Sequence, residues 1–335
     1  MSVSTRPLSV VSLFSGAGFS DYGLTQAKYN RYCFRLLQAY DYDAYACQTY
    51  AHNLGNHIQQ QDLTQLDLAT IPQSTIMVVT PSCFGFSNNN RSKNNERKKE
   101  QNDLTKLAVQ AIKQNPNCQV FIMENAPQLL THEKGAYLRY IQETLSEFSI
   151  SYGVLNAADF GAPQVRKRAF LIGSKIGYIP LPKPKYSVMN YQTVGKALEH
   201  LDLTLPNAND FTQSSELVQE RMSHIPPGGN IKDIPESIRP KGQLSNAYRR
   251  LHPDKPSISI VNYRKSMISP PHANRTLTIR EACRLMSIPD HYEILGTLSA
   301  KQQQTCNGVV PLVMKAVGEE VLKAFEQHHQ NKKNL

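Results

Sequence analysis

Residues 8–18 read LSVVSLFSGAG, an apolar run that ends in two closely spaced glycines. The run Leu8–Phe14 has the length and the apolar character of a strand that is buried on both faces. Gly16 and Gly18 can adopt backbone conformations that other residues rarely reach, so the chain can turn tightly there and approach a ligand closely. The stretch therefore predicts a buried strand that is followed by a tight glycine turn.

The first half of the chain repeats this pattern of a short apolar strand followed by a helix. The predicted strands are Phe34–Tyr40, Thr75–Pro81, Gln119–Glu124 and Ala169–Ile172, and the predicted helices are Ala44–Asn53, Asp103–Gln114 and Ala136–Phe148. Short apolar strands that alternate with helices favour an α/β fold with a doubly wound, mostly parallel sheet. The carboxyl ends of its strands would form one edge, where nucleotide-like ligands bind.

The composition changes after residue 178. Twelve of the 20 prolines lie between residues 178 and 272, and proline removes amide donors and restricts its neighbours. Residues 179–269 are therefore predicted to form a second, smaller and irregular domain. Residues 1–178 and 270–335 would form the main domain, which ends in a frayed polar tail from His328 onward.

The net charge and the spacing of the cysteines limit the kinds of partner and site that this protein is expected to have. The chain has 37 Lys and Arg against 27 Asp and Glu, a net charge of +10. This surplus suits a polyanionic partner, although solubility alone would also explain it. The six cysteines contain no C-x-x-C pair, so no metal site is expected. Without a secretory signal pattern or an apolar run near the ~20 residues of a membrane span, a cytoplasmic protein is expected.

Acidic residues follow the predicted second strand. Asp41 ends that strand and Asp43 comes two residues later, where a carboxylate can accept hydrogen bonds from ribose hydroxyls. Asp62, before the third strand, could similarly meet a base or an amine. Each of these acids could instead be a solvated turn residue, and for Asp62 alone that interpretation is the stronger one.

A cysteine and a glutamate stand at the ends of the next two predicted strands. Cys83 lies in the turn TPSCFGFS, and a basic segment follows that could lower its pKa and close over a substrate. Glu124 could be held protonated near neutral pH by desolvation. Taken separately, a lone cysteine is usually an inert apolar residue and a lone glutamate a surface acid or helix cap.

The segment Gln164-Val-Arg166-Lys-Arg168 precedes the strand Ala169–Ile172. Alternate residues of an extended segment face the same side, so Arg166 and Arg168 are predicted to project together. Paired guanidinium groups suit a phosphate or a base carbonyl. A solvated basic hairpin would explain the same pattern.

Taken in order, these segments resemble the motifs of the DNA cytosine-5 methyltransferase family. The matching residues are Phe14-x-Gly16-x-Gly18, Asp41 with Asp43, Pro81-Ser-Cys83, Glu124-Asn125-Ala126, Gln164-x-Arg166-x-Arg168, Arg275–Leu285 and Gln304–Pro311. The resemblance runs from Ser9 to Val321 in the family's order. Ser82, Phe84, Cys306 and Val310 depart from the residues that are usual in the family.

The resemblance implies a Rossmann-like methyltransferase that moves a methyl group from S-adenosyl-L-methionine to C5 of a cytosine flipped out of double-stranded DNA. Cys83 would attack C6 of the base, Glu124 would protonate or hydrogen-bond N3, and Arg168 would contact O2 with support from Arg166. The residues expected at the cofactor are Phe14, Gly16, Gly18, Asp41, Asp62, Pro81 and Asn307.

The resemblance gives the domain that would recognise DNA, and two basic segments indicate residues that could contact its phosphates. Residues 179–269 would be the target-recognition domain, and the expected DNA-binding residues are Ser87, Arg91, Lys93, Arg97, Arg249, Arg250 and Arg264. A monomeric modification enzyme of prokaryotic or phage origin is expected, which could have a companion restriction endonuclease.

Two other functions stay open at this point. One is the tRNA-modifying branch of the family, which typically carries Cys-Phe-Thr after the Glu-Asn-Val motif, where this chain has Gln128-Leu-Leu-Thr. The other is a non-catalytic DNA-binding protein on the same scaffold.

Overall fold

The computed structural model describes residues 5–82, 95–242 and 247–333. Within these residues eight strands form one sheet: β1 (Arg6–Leu13), β2 (Lys28–Tyr29), β3 (Tyr32–Asp41), β4 (Ile58–Gln60), β5 (Ile76–Val79), β6 (Val120–Asn125), β7 (Ser149–Asn156) and β8 (Lys167–Ser174). Their order is β2-β3-β1-β5-β6-β8-β7, and β4 pairs with β3. The central pairs are parallel, whereas β8 runs antiparallel to both β6 and β7. The predicted α/β class with a mostly parallel central sheet is confirmed.

The helices of the described residues connect these strands or follow them. They are α1 (Phe19–Thr25), α2 (Ala44–Leu54), α3 (Asn95–Lys113), α4 (Ala136–Thr144), α5 (Val194–Leu198), α6 (Glu216–Ser223), α7 (Ile279–Leu285), α8 (Leu298–Asn307) and α9 (Pro311–Lys333). None of these helices is long and apolar enough to cross a membrane.

Helices cover both faces of the sheet, which explains why a central strand such as β5 is apolar without interruption. On one face Leu13, Met77 and Phe121 share a buried cluster with residues of α3 and α4. On the other face Gly318 of α9 lies so close to Leu24 that an added Cβ would come within 2.9 Å of its side chain. The strands therefore need apolar residues at successive positions and not only at alternate ones.

The chain forms two compact units. The first comprises residues 1–156, 167–183 and 313–335, and the second comprises residues 157–166 and 184–312. The second unit has a small apolar core around Met222, Ile225 and Ile234. The boundaries at 178/179 and 269/270 concern the role of each segment in DNA recognition, and they stay a prediction.

The predicted frayed tail is wrong up to Lys333, because α9 continues to that residue. Two contacts within the first unit hold this end of the helix. Arg6 donates to the ring of His329 at 3.0 Å, and the Arg31 Nε lies 3.7 Å from a carboxylate oxygen of Glu326. Contacts with other polar side chains can thus hold a polar helix end in place. The composition of the segment alone does not predict such contacts.

Candidate active site

The glycine turn after β1 is held in left-handed backbone conformations. Phe14, Gly16 and Gly18 have φ values of 60°, 54° and 82°. An added Cβ on Gly16 would meet no atom within 4 Å, so its backbone angle, and not a lack of space, is what favours glycine there. The Phe14 carbonyl accepts a hydrogen bond of 2.8 Å from the Thr80 hydroxyl, which ties the turn to the end of β5.

Asp41 lies directly against this turn, as its place at the end of β3 predicts. One carboxylate oxygen accepts from the Gly16 amide at 2.7 Å and the other from the Asp43 amide at 2.9 Å. Burial raises the pKa of Asp41 above its usual range, while these amide hydrogen bonds oppose that shift. Each oxygen has a second lone pair, so Asp41 can still accept hydrogen bonds from a ligand.

The other two predicted acids are used locally. Asp43 caps α2 by accepting from the Ala46 amide at 2.8 Å. Asp62 is exposed and caps a short turn, where it accepts from the Thr64 amide at 2.9 Å and from the Thr64 hydroxyl at 2.8 Å. Asp41 is therefore the acid that the structure places at the glycine turn.

Asn307 is the last residue of α8 in the second unit. Its side-chain oxygen accepts a hydrogen bond of 2.8 Å from the Gln303 amide group, one helical turn earlier.

The predicted nucleophile Cys83 lies outside the described residues, but the chain just before it is fixed. The Asn125 side chain donates to the Pro81 carbonyl at 3.0 Å, and its oxygen accepts from the Ala126 amide at 2.8 Å. Asn125 is fully buried at the end of β6. We did not predict this contact from the sequence, although a polar amide that ends a buried apolar strand must find partners.

Glu124 and Arg168 meet at the same edge of the sheet because β6 and β8 run antiparallel. The end of β6 therefore lies beside the start of β8. The Arg168 Nε is 3.3 Å from a Glu124 carboxylate oxygen, and the two side chains are 16% and 9% exposed. The carboxylate and the guanidinium therefore form an ion pair that is largely shielded from solvent.

Arg166 has different partners from Arg168. It is buried in the second unit, where it donates to the carbonyls of Cys306 at 2.9 Å and Gly308 at 3.0 Å. The regular strand begins at Lys167, after Arg166, and the joint projection of the two arginines stays a prediction. Arg166 supports the turn between α8 and α9.

Arg250 hydrogen-bonds to groups inside the protein, which corrects the prediction that it contacts DNA. It is buried, and its guanidinium donates to the carbonyls of Met222, Ile225, Pro271 and Ala273 and to the side chain of Asn274, at 2.6–3.2 Å. These contacts occupy all five of its N–H groups. Arg249 and Arg264 are partly exposed.

Other predicted DNA contacts cannot be placed. Ser87, Arg91 and Lys93 lie outside the described residues, and Arg97 belongs to α3 at a position whose side chain is not described. Across the described part of the chain, no three His, Cys, Asp or Glu side chains lie close enough together to hold a metal ion.

The structure thus combines a glycine turn, an acid at the end of β3 and a carboxylate–guanidinium pair along the same sheet edge, as expected for a Rossmann-like methyltransferase. A family model described as C-5 cytosine-specific DNA methylase matches residues 8–323. The chain therefore belongs to the C-5 cytosine-specific DNA methylase family, and it is a DNA cytosine-5 methyltransferase.

Relatives of known name agree with this assignment. The type II methyltransferase M1.HphI of Haemophilus parahaemolyticus is 35% identical over 94% of this chain and 87% of its own length. The type II methyltransferase M.NgoFVII of Neisseria gonorrhoeae is 29% identical over 98% and 90%. Among solved structures, a prophage-encoded DNA modification methyltransferase from E. coli shares the fold, with a TM-score of 0.73 at 20% identity over 95% of this chain and 99% of that one.

Proposed function

We propose that this protein transfers a methyl group from S-adenosyl-L-methionine to C5 of a cytosine that is flipped out of a specific double-stranded DNA sequence, with Cys83 as the nucleophile. The observation that carries the proposal is the Glu124–Arg168 pair, which stands beside the Asn125–Pro81 contact just before Cys83. Activation of a pyrimidine ring requires an acid, a cation and an attacking thiol, and Glu124, Arg168 and Cys83 would supply them.

The cofactor would lie at the glycine turn. Asp41 would accept hydrogen bonds from the ribose hydroxyls, and Phe14, Gly16, Gly18 and Pro81 would line the pocket. Tyr42 follows Asp41 and is 72% exposed, so its ring could pack on the adenine. When bound, the cofactor supplies a methyl group on a positively charged sulfur. The family motifs also imply cofactor contacts for Asp62 and Asn307, whose side chains make the local hydrogen bonds described above.

The residues of the chain would activate the base. C5 of cytosine is a poor nucleophile, and addition of the Cys83 thiolate to C6 gives it enamine character. Glu124 would hydrogen-bond or protonate N3, and Arg168 would stabilise the negative charge at O2. After methyl transfer, loss of the C5 proton and elimination of the Cys83 thiolate would restore the ring and free the enzyme. Arg166 would keep the supporting role that the Gln-x-Arg-x-Arg motif implies.

The target base must leave the duplex because C6 is inaccessible within the stack. Ser87, Arg91, Lys93 and Arg97 would contact DNA from the segment after Cys83, and Arg249 and Arg264 would contact it from residues 179–269. The relatives named above are type II methyltransferases, which supports a prokaryotic or phage modification enzyme that could act beside a companion restriction endonuclease. We also propose that it is monomeric and cytoplasmic.

The test is transfer of labelled methyl groups to unmethylated genomic DNA, followed by conversion sequencing to locate modified cytosines. We expect one short recognition sequence to be modified, and we expect Cys83→Ser to abolish transfer while DNA binding persists. Absence of transfer to any DNA, with cofactor binding demonstrated, would contradict the proposal. Preferential transfer to tRNA would favour the tRNA-modifying branch instead.

A further inference from the structure

A chain of three buried or half-buried polar groups lies in the first unit, beyond the residues used above. Asp21 of α1 is completely buried, and its carboxylate accepts a hydrogen bond of 2.7 Å from the Tyr50 hydroxyl of α2. The same hydroxyl lies 3.1 Å from the His57 Nε2. The rings of Tyr50 and His57 meet edge to face, with centroids 5.3 Å apart.

The direction of these hydrogen bonds follows from the number of protons. Tyr50 has a single hydroxyl proton, which it donates to Asp21, so His57 must donate its Nε2–H to the Tyr50 oxygen. Burial lowers the pKa of His57, which favours the neutral ring, and the hydrogen bond to the Tyr50 oxygen then requires its proton on Nε2. The chain thus runs from His57 through Tyr50 to the Asp21 carboxylate, which the Ser20 hydroxyl also contacts at 3.4 Å.

Each member of this chain belongs to a different segment that borders the candidate cofactor pocket. Asp21 lies in the first turn of α1, directly after the glycine turn. Tyr50 lies in α2, which begins after Asp43. The His57 carbonyl accepts from the Ala39 amide at 2.8 Å, just before β4 pairs with the end of β3 at Asp41.

Stability alone does not explain why a carboxylate is buried here. Complete burial raises the pKa of Asp21 to about 6, against the hydrogen bonds from Tyr50 and Ser20. A buried ionisable group of this kind is usually less favourable for folding than an apolar one of similar size. Costly buried groups cluster where the position of a neighbouring site matters.

We propose that Asp21, Tyr50 and His57 are positioning residues that hold the glycine turn and Asp41 at the spacing that S-adenosyl-L-methionine requires. The inference rests on the proposed function, since it concerns the same pocket. Asp41 bridges the turn and β3 on the ligand side through the Gly16 amide. The Asp21–Tyr50–His57 chain is a second bridge, which joins α1 to α2 and to the residues before β4.

The test separates binding of the cofactor from the later steps. Tyr50→Phe removes one hydroxyl and keeps the ring. We expect the KM for S-adenosyl-L-methionine and the Kd for S-adenosylhomocysteine to rise at least fivefold, with kcat and the KM for DNA within twofold of wild type. Asp21→Asn keeps an oxygen that can accept from Tyr50, so its effect should be smaller. Tyr152→Phe, an exposed tyrosine of β7, is the matched control.

An unchanged Kd for S-adenosylhomocysteine in folded Tyr50→Phe would overturn the proposal and leave Tyr50 a purely structural residue. A fall in kcat without a change in cofactor affinity would overturn it as well. If Tyr50→Phe does not fold, His57→Ala tests the same chain at a partly exposed position, and it should weaken S-adenosylhomocysteine binding about threefold. Because calorimetry with this cofactor product needs no turnover, a wild type that binds it but methylates no DNA would refute only the proposed function.

Discussion

Arg250 places its entire guanidinium against main-chain and amide oxygens of the second unit. Irregular segments leave carbonyl groups without partners from helices or strands, and buried carbonyls need donors. Arg280 performs the same task, since it is fully buried and donates to the carbonyls of Pro206, Pro289 and Tyr292 at 2.7–2.9 Å. Buried arginines thus replace part of the hydrogen bonding that a sheet would supply.

Replacing Arg250 by methionine should destabilise the second unit strongly. The substitution keeps an unbranched apolar stem but leaves several buried oxygens without donors, each of which costs about 1–3 kcal/mol. We expect a loss of about 3–5 kcal/mol in the free energy of unfolding, measured by urea denaturation. Arg249→Met is the control, because it should weaken DNA binding with little effect on stability. A stable Arg250→Met protein with impaired DNA binding would restore the role predicted from the sequence.

The contrast between Arg249 and Arg250 shows which residue roles can be predicted from the sequence and which cannot. Asp41 and Glu124 could be placed correctly at the sheet edge because strand ends follow from the apolar pattern. Arg249 and Arg250 are identical in type and adjacent, and no periodic pattern around them tells which one faces inward. Arg166 and Asn125 donate hydrogen bonds to carbonyls of residues that lie far away in the sequence, Cys306 and Pro81. No local sequence pattern predicts such contacts.

At the scale of elements, Gly173 allows β6 and β8 to pair where the sheet changes from parallel to antiparallel. Gly173 lies opposite Phe121 in the register, and a Cβ on Gly173 would come within 2.0 Å of the Phe121 ring. The ring thus occupies the space that a side chain on β8 would need. The same register brings Arg168 at the start of β8 to Glu124 at the end of β6.

Gly173→Ala should therefore destabilise the protein by about 3 kcal/mol, because Phe121 cannot move without disturbing its edge-to-face contact with Phe148. Gly153→Ala in the adjacent strand is the matched control. Its Cβ would approach only the tip of Leu181, at 2.9 Å, and that side chain can rotate. Thermal unfolding of both variants checks the prediction, and equal shifts in Tm would show that the Phe121 ring is not the cause.

Element prediction succeeded where apolar runs were long. The strands at the centre of the sheet were found within two residues of their observed ends, because they are buried on both faces. β7 was missed since Tyr152 and Val154 are exposed on this edge strand and interrupt its apolar pattern. α8 was missed because its sequence, LSAKQQQTCN, is mainly polar and shows no clear apolar face.

For the molecule as a whole, Asp21 links stability to pH. Its pKa is raised from 3.8 to about 6 on folding, so between these values the folded protein binds a proton that the unfolded chain releases. This group therefore favours the folded state as the pH falls from 7 to 4, by about 3 kcal/mol, and the gain is lost again as the pH rises through 6.

Asp21→Asn removes this titration and should abolish that gain. Urea unfolding of wild type and variant between pH 4.5 and 8 gives the difference in stability at each pH. We expect the variant to gain relative to wild type as the pH rises, most steeply at about pH 5, between the two pKa values, and to level off above pH 6. A difference that is independent of pH would mean that Asp21 does not titrate on folding.

Under the proposed role of residues 179–269 in target recognition, the membership of residues 157–166 in the second unit bears on attempts to change which DNA sequence is methylated. An engineer would naturally transplant residues 184–312 from a relative as one cassette. That cassette would leave behind Gln164, which donates to the Leu285 carbonyl at 3.2 Å, and Arg166, which donates to the Cys306 carbonyl at 2.9 Å. Hybrid enzymes with new specificity should therefore take residues 157–166 and 184–312 from the same parent. The Gln164 amide and the Arg166 guanidinium then keep the carbonyl groups that accept their hydrogen bonds.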